Sequence, residues 1–304
     1  MTLRNAICWA LIAPGTARAA DVPMHVETLA MGDTSGADPE DNAAIGAAPA
    51  SLGLGERYDV QAGFAYGTEG GLHWDVSAVD ARTNRFLAFG LGYAGDRTSP
   101  ALRTEDLPGW QVTGSTLTNV RRTHDLLGAI AFHDPEHHIA LGVGGDVSFF
   151  DHDQGGDGTT GNLDFGLAGR PISQLSLSTF ARNVISSLDT TGDRPMLLGG
   201  GVRFEDTKYG ALAAQVDIDP DDLSWRVGAG AEVVAGGARI RAGWQHGTTQ
   251  VHTLTLGLGA ETVSGAFGWA TWLPLEGNFL DGMVQGVSLR IRAPSASDPP
   301  PFGD

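Results

Sequence analysis

From Tyr58 onward the chain alternates. Tyr58, Val60, Ala62, Phe64 and Tyr66 share one parity, while Asp59, Gln61, Gly63, Ala65 and Gly67 share the other. A period of two places these sets on opposite faces of a β-strand. The pattern returns in Leu72, Trp74, Val76 and Ala78 against His73, Asp75 and Ser77. It returns again in Ile139, Leu141, Val143, Val147 and Phe149 against Ala140, Gly142, Gly144, Asp146 and Ser148, and in Leu254, Leu256 and Leu258 against Thr253, Thr255 and Gly257. No stretch beyond residue 57 sustains a 3.6-residue period. Fourteen strands are predicted, at 58–67, 71–82, 86–96, 123–133, 138–150, 161–169, 173–184, 195–205, 209–218, 223–234, 238–247, 251–261, 265–274 and 283–292. Most are about ten residues long, which suits a tilted strand crossing a bilayer; strands of soluble sandwiches average roughly five or six.

The connections alternate as well. Long ones, Arg97 to Arg122, Asp151 to Thr160, Val184 to Arg194 and Pro274 to Gly282, each follow an odd-numbered strand, whereas Arg82 to Arg85, Asp134 to Glu136 and Ala235 to Gly237 are tight turns. Long loops on one rim and short turns on the other are the habit of an even-stranded transmembrane barrel with both ends in the periplasm.

Chemistry separates the two faces. One carries Leu, Val, Ile, Phe and Trp; the other carries Gly, Ala, Ser and the charges Asp146, Asp164, Arg203, Arg226, Glu232, Arg239, Arg241, Arg290 and Arg292. In a membrane barrel the apolar face meets lipid and the charges line the lumen, where opposite signs can pair. A soluble exported β-protein, the competing reading, would put the apolar set inside. The 44 glycines leave too few large side chains to fill such an interior. On this reading arginine at Leu256 disrupts a lipid face, and arginine at Thr255 is tolerated in a polar lumen.

Composition narrows the classes further. With 36 acidic against 19 basic residues and a single lysine, Lys208, the chain lacks the basic stripe that nucleic-acid binding requires. No apolar run reaches the ~20 residues of a membrane-crossing helix. Arg4, the apolar run Ala6 to Ala13 and the small-residue step Ala17-Arg18-Ala19 read as a signal peptide, residues 1–19, cleaved after Ala19. Its removal takes away the only cysteine, Cys8, and with it disulfides and thiolate chemistry. Residues 294–304, with Pro299-Pro300-Pro301, cannot extend a sheet and read as a disordered tail.

Candidate chemistry is sparse. Asp151 to Gly158 carries carboxylates at calcium-loop spacing but has glycine at the fifth position, Asn162 at the twelfth and no flanking helices, so a solvated outer loop is the stronger reading. His133, His137 and His138 bracket a tight turn and read as incidental. No spacing singles out a catalytic triad, P-loop, zinc motif or dinucleotide fingerprint. No catalytic residue, metal ligand or cofactor is therefore assigned.

Residues 29–63 contain Met31-Gly32, an acidic patch from Asp38 to Asp41, Ala43-Ala44-Ile45 and Pro49-Ala50-Ser51-Leu52. This run resembles the opening of the FadL and PorV group of outer-membrane proteins, although Ala48 stands where the group has asparagine. Ala231-Glu232, Ile240 to Trp244 and Leu256 to Gly259 resemble its later strands. The resemblance implies an all-β, antiparallel up-and-down barrel of fourteen strands, residues 58–293, in the outer membrane of a Gram-negative bacterium. It also implies that residues 20–57 form a hatch, with Met31, Gly32, Asp41, Pro49, Ala50 and Leu52 inside the lumen. From the residues alone, a compact plug and a periplasmic tail are both compatible with that segment. Two departures stand out: at 304 residues the chain is shorter than typical members, and it does not end in an aromatic-terminated strand. Two functions follow from the likeness. One is passive transport of hydrophobic or amphipathic small molecules; the other is an accessory barrel whose partners are envelope proteins. A plain hydrophilic porin ranks third. Membrane lipid is a partner in every case.

Overall fold

The computed structural model describes residues 25–38, 41–55, 57–68, 71–98, 120–152, 156–187, 195–206, 208–248, 250–262, 264–276 and 282–293. The predicted signal peptide and tail lie outside these residues.

Fourteen antiparallel strands form one closed barrel in sequential order. They are β1 (Tyr58–Gly67), β2 (Gly71–Asp80), β3 (Leu87–Thr98), β4 (Arg121–Asp134), β5 (Ile139–His152), β6 (Gly156–Ile172) and β7 (Leu175–Ser187). The circuit continues through β8 (Leu197–Asp206), β9 (Gly210–Ile218), β10 (Trp225–Ala235), β11 (Ala238–Gly247), β12 (Gln250–Thr262), β13 (Gly265–Pro274) and β14 (Val284–Arg292). The last strand returns to the first, in a register from Asp59 opposite Arg292 to Gly67 opposite Val284. Closure leaves no edge, so the wall's backbone groups bond within the wall and none has to seek a partner in hydrocarbon.

The predicted faces are the observed ones. Leu91, Leu212, Leu258 and Ile291 are 69%, 61%, 53% and 62% exposed, whereas Asp59, Gln61, Asp75, Thr255 and Arg290 are buried. A water-soluble protein inverts this arrangement. A continuous apolar exterior around a polar interior is the surface of a barrel whose solvent is lipid. None of the described helices is long and apolar enough to cross a membrane, so crossing rests on the strands.

One predicted loop is corrected. Asp151 to Thr160 was expected to be a long connection, but β5 and β6 continue into it, with Asp151 opposite Asp157 and His152 opposite Gly156. Apolar alternation stops near Phe149 because both faces of the hairpin leave the lipid there, while the backbone ladder runs on. The calcium-like spacing is thus carried largely by paired strand. The wall is consequently uneven: β4 to β7 are 13 to 17 residues long, and β8 to β11 only 9 to 11.

Candidate functional site

Residues 25–38, 41–55 and 57 lie inside the barrel. Of those described, all are buried except Glu27 and Asp33, which are half-buried. Their local structure is slight: helix α1 (Val26–Leu29), helix α2 (Ala44–Ala47) and a 3-10 turn (Pro49–Leu54). Helices of one turn do not form alone in water, so the wall imposes this shape. Gly32 and Asp33, at φ +75° and +56°, reverse the chain after α1. The Asp41 carboxylate accepts the Ala43 N–H at 2.9 Å just ahead of α2, and Pro49 opens the 3-10 turn.

The first part of the segment is seated by charge. Arg290 on β14 donates to Glu27 at 2.7 Å, with Arg241 on β11 at 3.9 Å from the same carboxylate. Arg226 on β10 bonds Asp33 and also Asp217 on β9. Arg203 on β8 donates to Asp38 at 2.9 Å and to Glu205 at 3.0 Å. Behind these pairs the wall runs its own ladder: Glu232 accepts from Arg241 at 2.6 Å and from Arg239, which also meets Glu261. Neutral side chains add to the seat. Thr255 accepts the Gly32 N–H at 3.1 Å and donates to the Ala30 carbonyl at 3.0 Å, and Gln215 accepts the Gly36 N–H at 2.7 Å. Burial raises the pKa of the Glu27 carboxyl, yet Arg290 and Arg241 outweigh it and hold that pKa below the usual value. For Asp41 burial wins over His25 and Arg290, and its pKa is pushed up.

The second part is seated by shape. Ala44, Ile45 and Leu52 pack with Val79, Ala88, Ala94, Leu127, Ala129 and Ala131 of β2 to β4. Ala50 and Leu54 pack with Ala140 of β5 and Ala168 of β6. Inward glycines admit the close approach. A Cβ on Gly142 would stand 2.2 Å from the Ala50 nitrogen, nearer than any real contact.

The predicted lumen residues divide into two groups. Arg203, Arg226, Arg241 and Arg290 meet hatch carboxylates directly, and Glu232 and Arg239 join them through the wall ladder. Asp146 and Asp164 lie elsewhere, in a polar patch on β5 to β7: Ser148 donates to Asp146 at 2.8 Å, and the Asn183 N–H donates to Asp164 at 2.8 Å. A bulge there puts Asn183 at φ +56° and breaks the β6–β7 register. The predicted hatch residues Met31, Gly32, Asp41, Pro49, Ala50 and Leu52 are all inside and buried.

Two things differ from the reading of the sequence. Thr255 does face inward, but it is fully buried under Gly32 and bonded to the hatch, so arginine there would expel the segment and would not be tolerated. The partners of the wall arginines were also missed: Glu27, Asp33 and Asp38 supply them from the hatch. Their signal was the cluster of acids between residues 27 and 41, set against a surplus of inward arginines on β7 to β14.

No protein-family model and no curated protein sequence matches the chain. Solved structures do. The toluene transporter TbuX of Ralstonia pickettii superposes over 90% of this chain and 98% of its own, with TM-score 0.65 and 13% identity. A Pseudomonas aeruginosa FadL homologue matches over 90% and 99%, with TM-score 0.61 and 11% identity. The monoaromatic hydrocarbon channel CymD matches over 89% and 96%, with TM-score 0.62 and 12% identity. At these identities the likeness shows the fold: the chain is a FadL-like barrel.

Proposed function

We propose that the protein is an outer-membrane channel of a Gram-negative bacterium that passes hydrophobic or amphipathic small molecules passively and is closed by its own N-terminal segment. In this reading residues 1–19 are the export signal, 20–57 the hatch, 58–293 the wall and 294–304 a tail. The observation that carries it is the hatch itself, buried in the lumen and bonded to both sides of the wall. A barrel with a purely structural role gains nothing from an interior segment held by exchangeable ion pairs. The structural neighbours named for toluene and monoaromatic hydrocarbons lend the substrate class. On this reading membrane lipid and a hydrophobic permeant are its partners.

Deletion tests this. Removing residues 24–54 takes out the hatch before β1 begins at Tyr58 and leaves the strands intact. The variant is expected to fold, to show heat-modifiable migration on a gel, and to conduct more than the full chain in a planar bilayer. Unchanged conductance together with loss of a protein partner on pull-down would replace the channel with the accessory-barrel reading.

A further inference from the structure

The outer face of the wall carries charge that neither hatch nor lumen uses. At the rim where the odd-numbered strands end, the outward one when both chain ends lie in the periplasm, Arg97 of β3 stands directly opposite Arg122 of β4. Both are exposed, and they share the parity of the outward residues Leu91 and Leu126 on their own strands. Like charges opposite one another on neighbouring strands repel. Asp151 of β5, 2.8 Å from Arg122, offsets one of the two. Below the pair lies a cluster of rings. His124, one outward step down β4, is opposite Phe149, where the apolar alternation of β5 stops, so it stands at the level at which the wall leaves the lipid. The Tyr93 hydroxyl is 2.7 Å from its Nδ1, and the two rings stack with centroids 6.0 Å apart. The Trp74 indole meets the imidazole edge-on at 6.1 Å. Gly95, opposite His124, makes room for that indole: a Cβ there would stand 2.3 Å from it.

We propose that this patch binds a phosphate-headed lipid of the outer leaflet, with the phosphate between Arg97 and Arg122, the headgroup against His124, Trp74 and Tyr93, and the acyl chains along Leu91 and Leu126. Tryptophan and tyrosine alone at this level would be an ordinary aromatic belt. The patch adds an imidazole fixed by a hydroxyl, with Nε2 as its second polar atom, and two arginines one outward step, about 7 Å along the strand, above it. Guanidinium donors match phosphate oxygens in pairs, and a shared anion turns the repulsion between the two arginines into attraction. Charge selects an anion: after Asp151 the pair is still net positive. Position selects a lipid, because the site continues without a break into the apolar wall below. A second rim cluster gives the contrast. Trp225, Trp244, His246 and His252 stack at the top of β10 to β12, with the imidazoles 3.9 Å apart, but the exposed acids Asp221 and Asp222 stand just ahead of Trp225 and repel a phosphate.

The site lies on the outside of the wall, so its test does not depend on what the lumen passes. The full chain in uncharged detergent micelles is offered phosphatidic acid and phosphatidylcholine, and the bound lipid is identified by native mass spectrometry. Phosphatidic acid should be retained in preference to phosphatidylcholine. Arg97→Gln and Arg122→Gln should each weaken that retention about tenfold or more, since each removes charged hydrogen bonds to the phosphate. Trp74→Leu should weaken it less, and Trp244→Leu, in the second cluster, should leave it unchanged. Equal retention of the two lipids by the unaltered chain, full retention in both arginine variants, or displacement of the lipid by excess inorganic phosphate would overturn the site. Should an arginine variant lose heat-modifiable migration, the unaltered chain decides: its preference should fall as salt is raised, and a preference indifferent to salt counts equally against the site.

Discussion

Before Asn42 the hatch puts carboxylates on wall arginines; after it, the chain puts alanine, isoleucine and leucine on wall alanines and glycines. Both parts are buried in one lumen, yet they respond to different insults. An apolar contact fails gradually, in proportion to the surface or volume lost. A buried ion pair fails abruptly, because removing one member leaves the other charged and without water. The same division runs around the wall. Inward arginines gather on β7 to β14, opposite the first part, and the small apolar residues on β2 to β6, opposite the second. Under the proposed function, the second part is the anchor and the first the part that lets go.

Three substitutions sharpen or break this contrast. The largest effect is expected from Arg290→Met, which removes the nearer of Glu27's two guanidinium partners, leaves Arg241 at 3.9 Å and should cost the seated hatch up to about 3–5 kcal/mol, read by fluorine NMR of 5-fluorotryptophan at Trp272, which packs against Val26, Leu29 and Ala30 and so reports whether α1 is seated. A matching Glu27→Gln variant should restore much of the loss, and failure to do so would mean that the pair does not hold α1. Gly142→Ala attacks the other part. Its Cβ must push Ala50 away, at roughly 1–3 kcal/mol, and proteolysis should then cut near the 3-10 turn while Trp272 remains seated. Simultaneous release of both parts would show that the hatch moves as one body and would erase the distinction. The smallest effect is expected at Arg122, whose partner Asp151 is 2.8 Å away on the solvated top of β5. Arg122→Ala should change unfolding in denaturant by about 0–1 kcal/mol and leave the hatch untouched.

The wall was legible because its signal is local. Alternation assigns each residue a face from its immediate neighbours, and β1, β11 and β13 begin and end where the pattern does. Legibility stopped where polarity no longer tracked face, as at the top of the β5–β6 hairpin, where Asp, Gly and Thr occupy both sides of the ladder. For the hatch, residue types were informative and partners were not. Glu27 and Arg290 are 263 residues apart, and nothing between them in the chain sets their meeting. The inward glycines were read correctly as scarcity of filling. Their positive meaning, room for the backbone of another segment, needed the packed structure.

Arg290 and its neighbours also bear on the order of assembly. Helix α1 stands at the start of the described chain, yet it rests on β12, β13 and β14, the strands synthesised last, together with β1. The hatch's second part rests on β3 to β7 and can settle while the sheet is still an open ribbon. The seat for α1 does not exist until β14 has paired with β1. A barrel that stalls short of closure therefore leaves α1 undocked, and a protease can reach it there before the wall is complete.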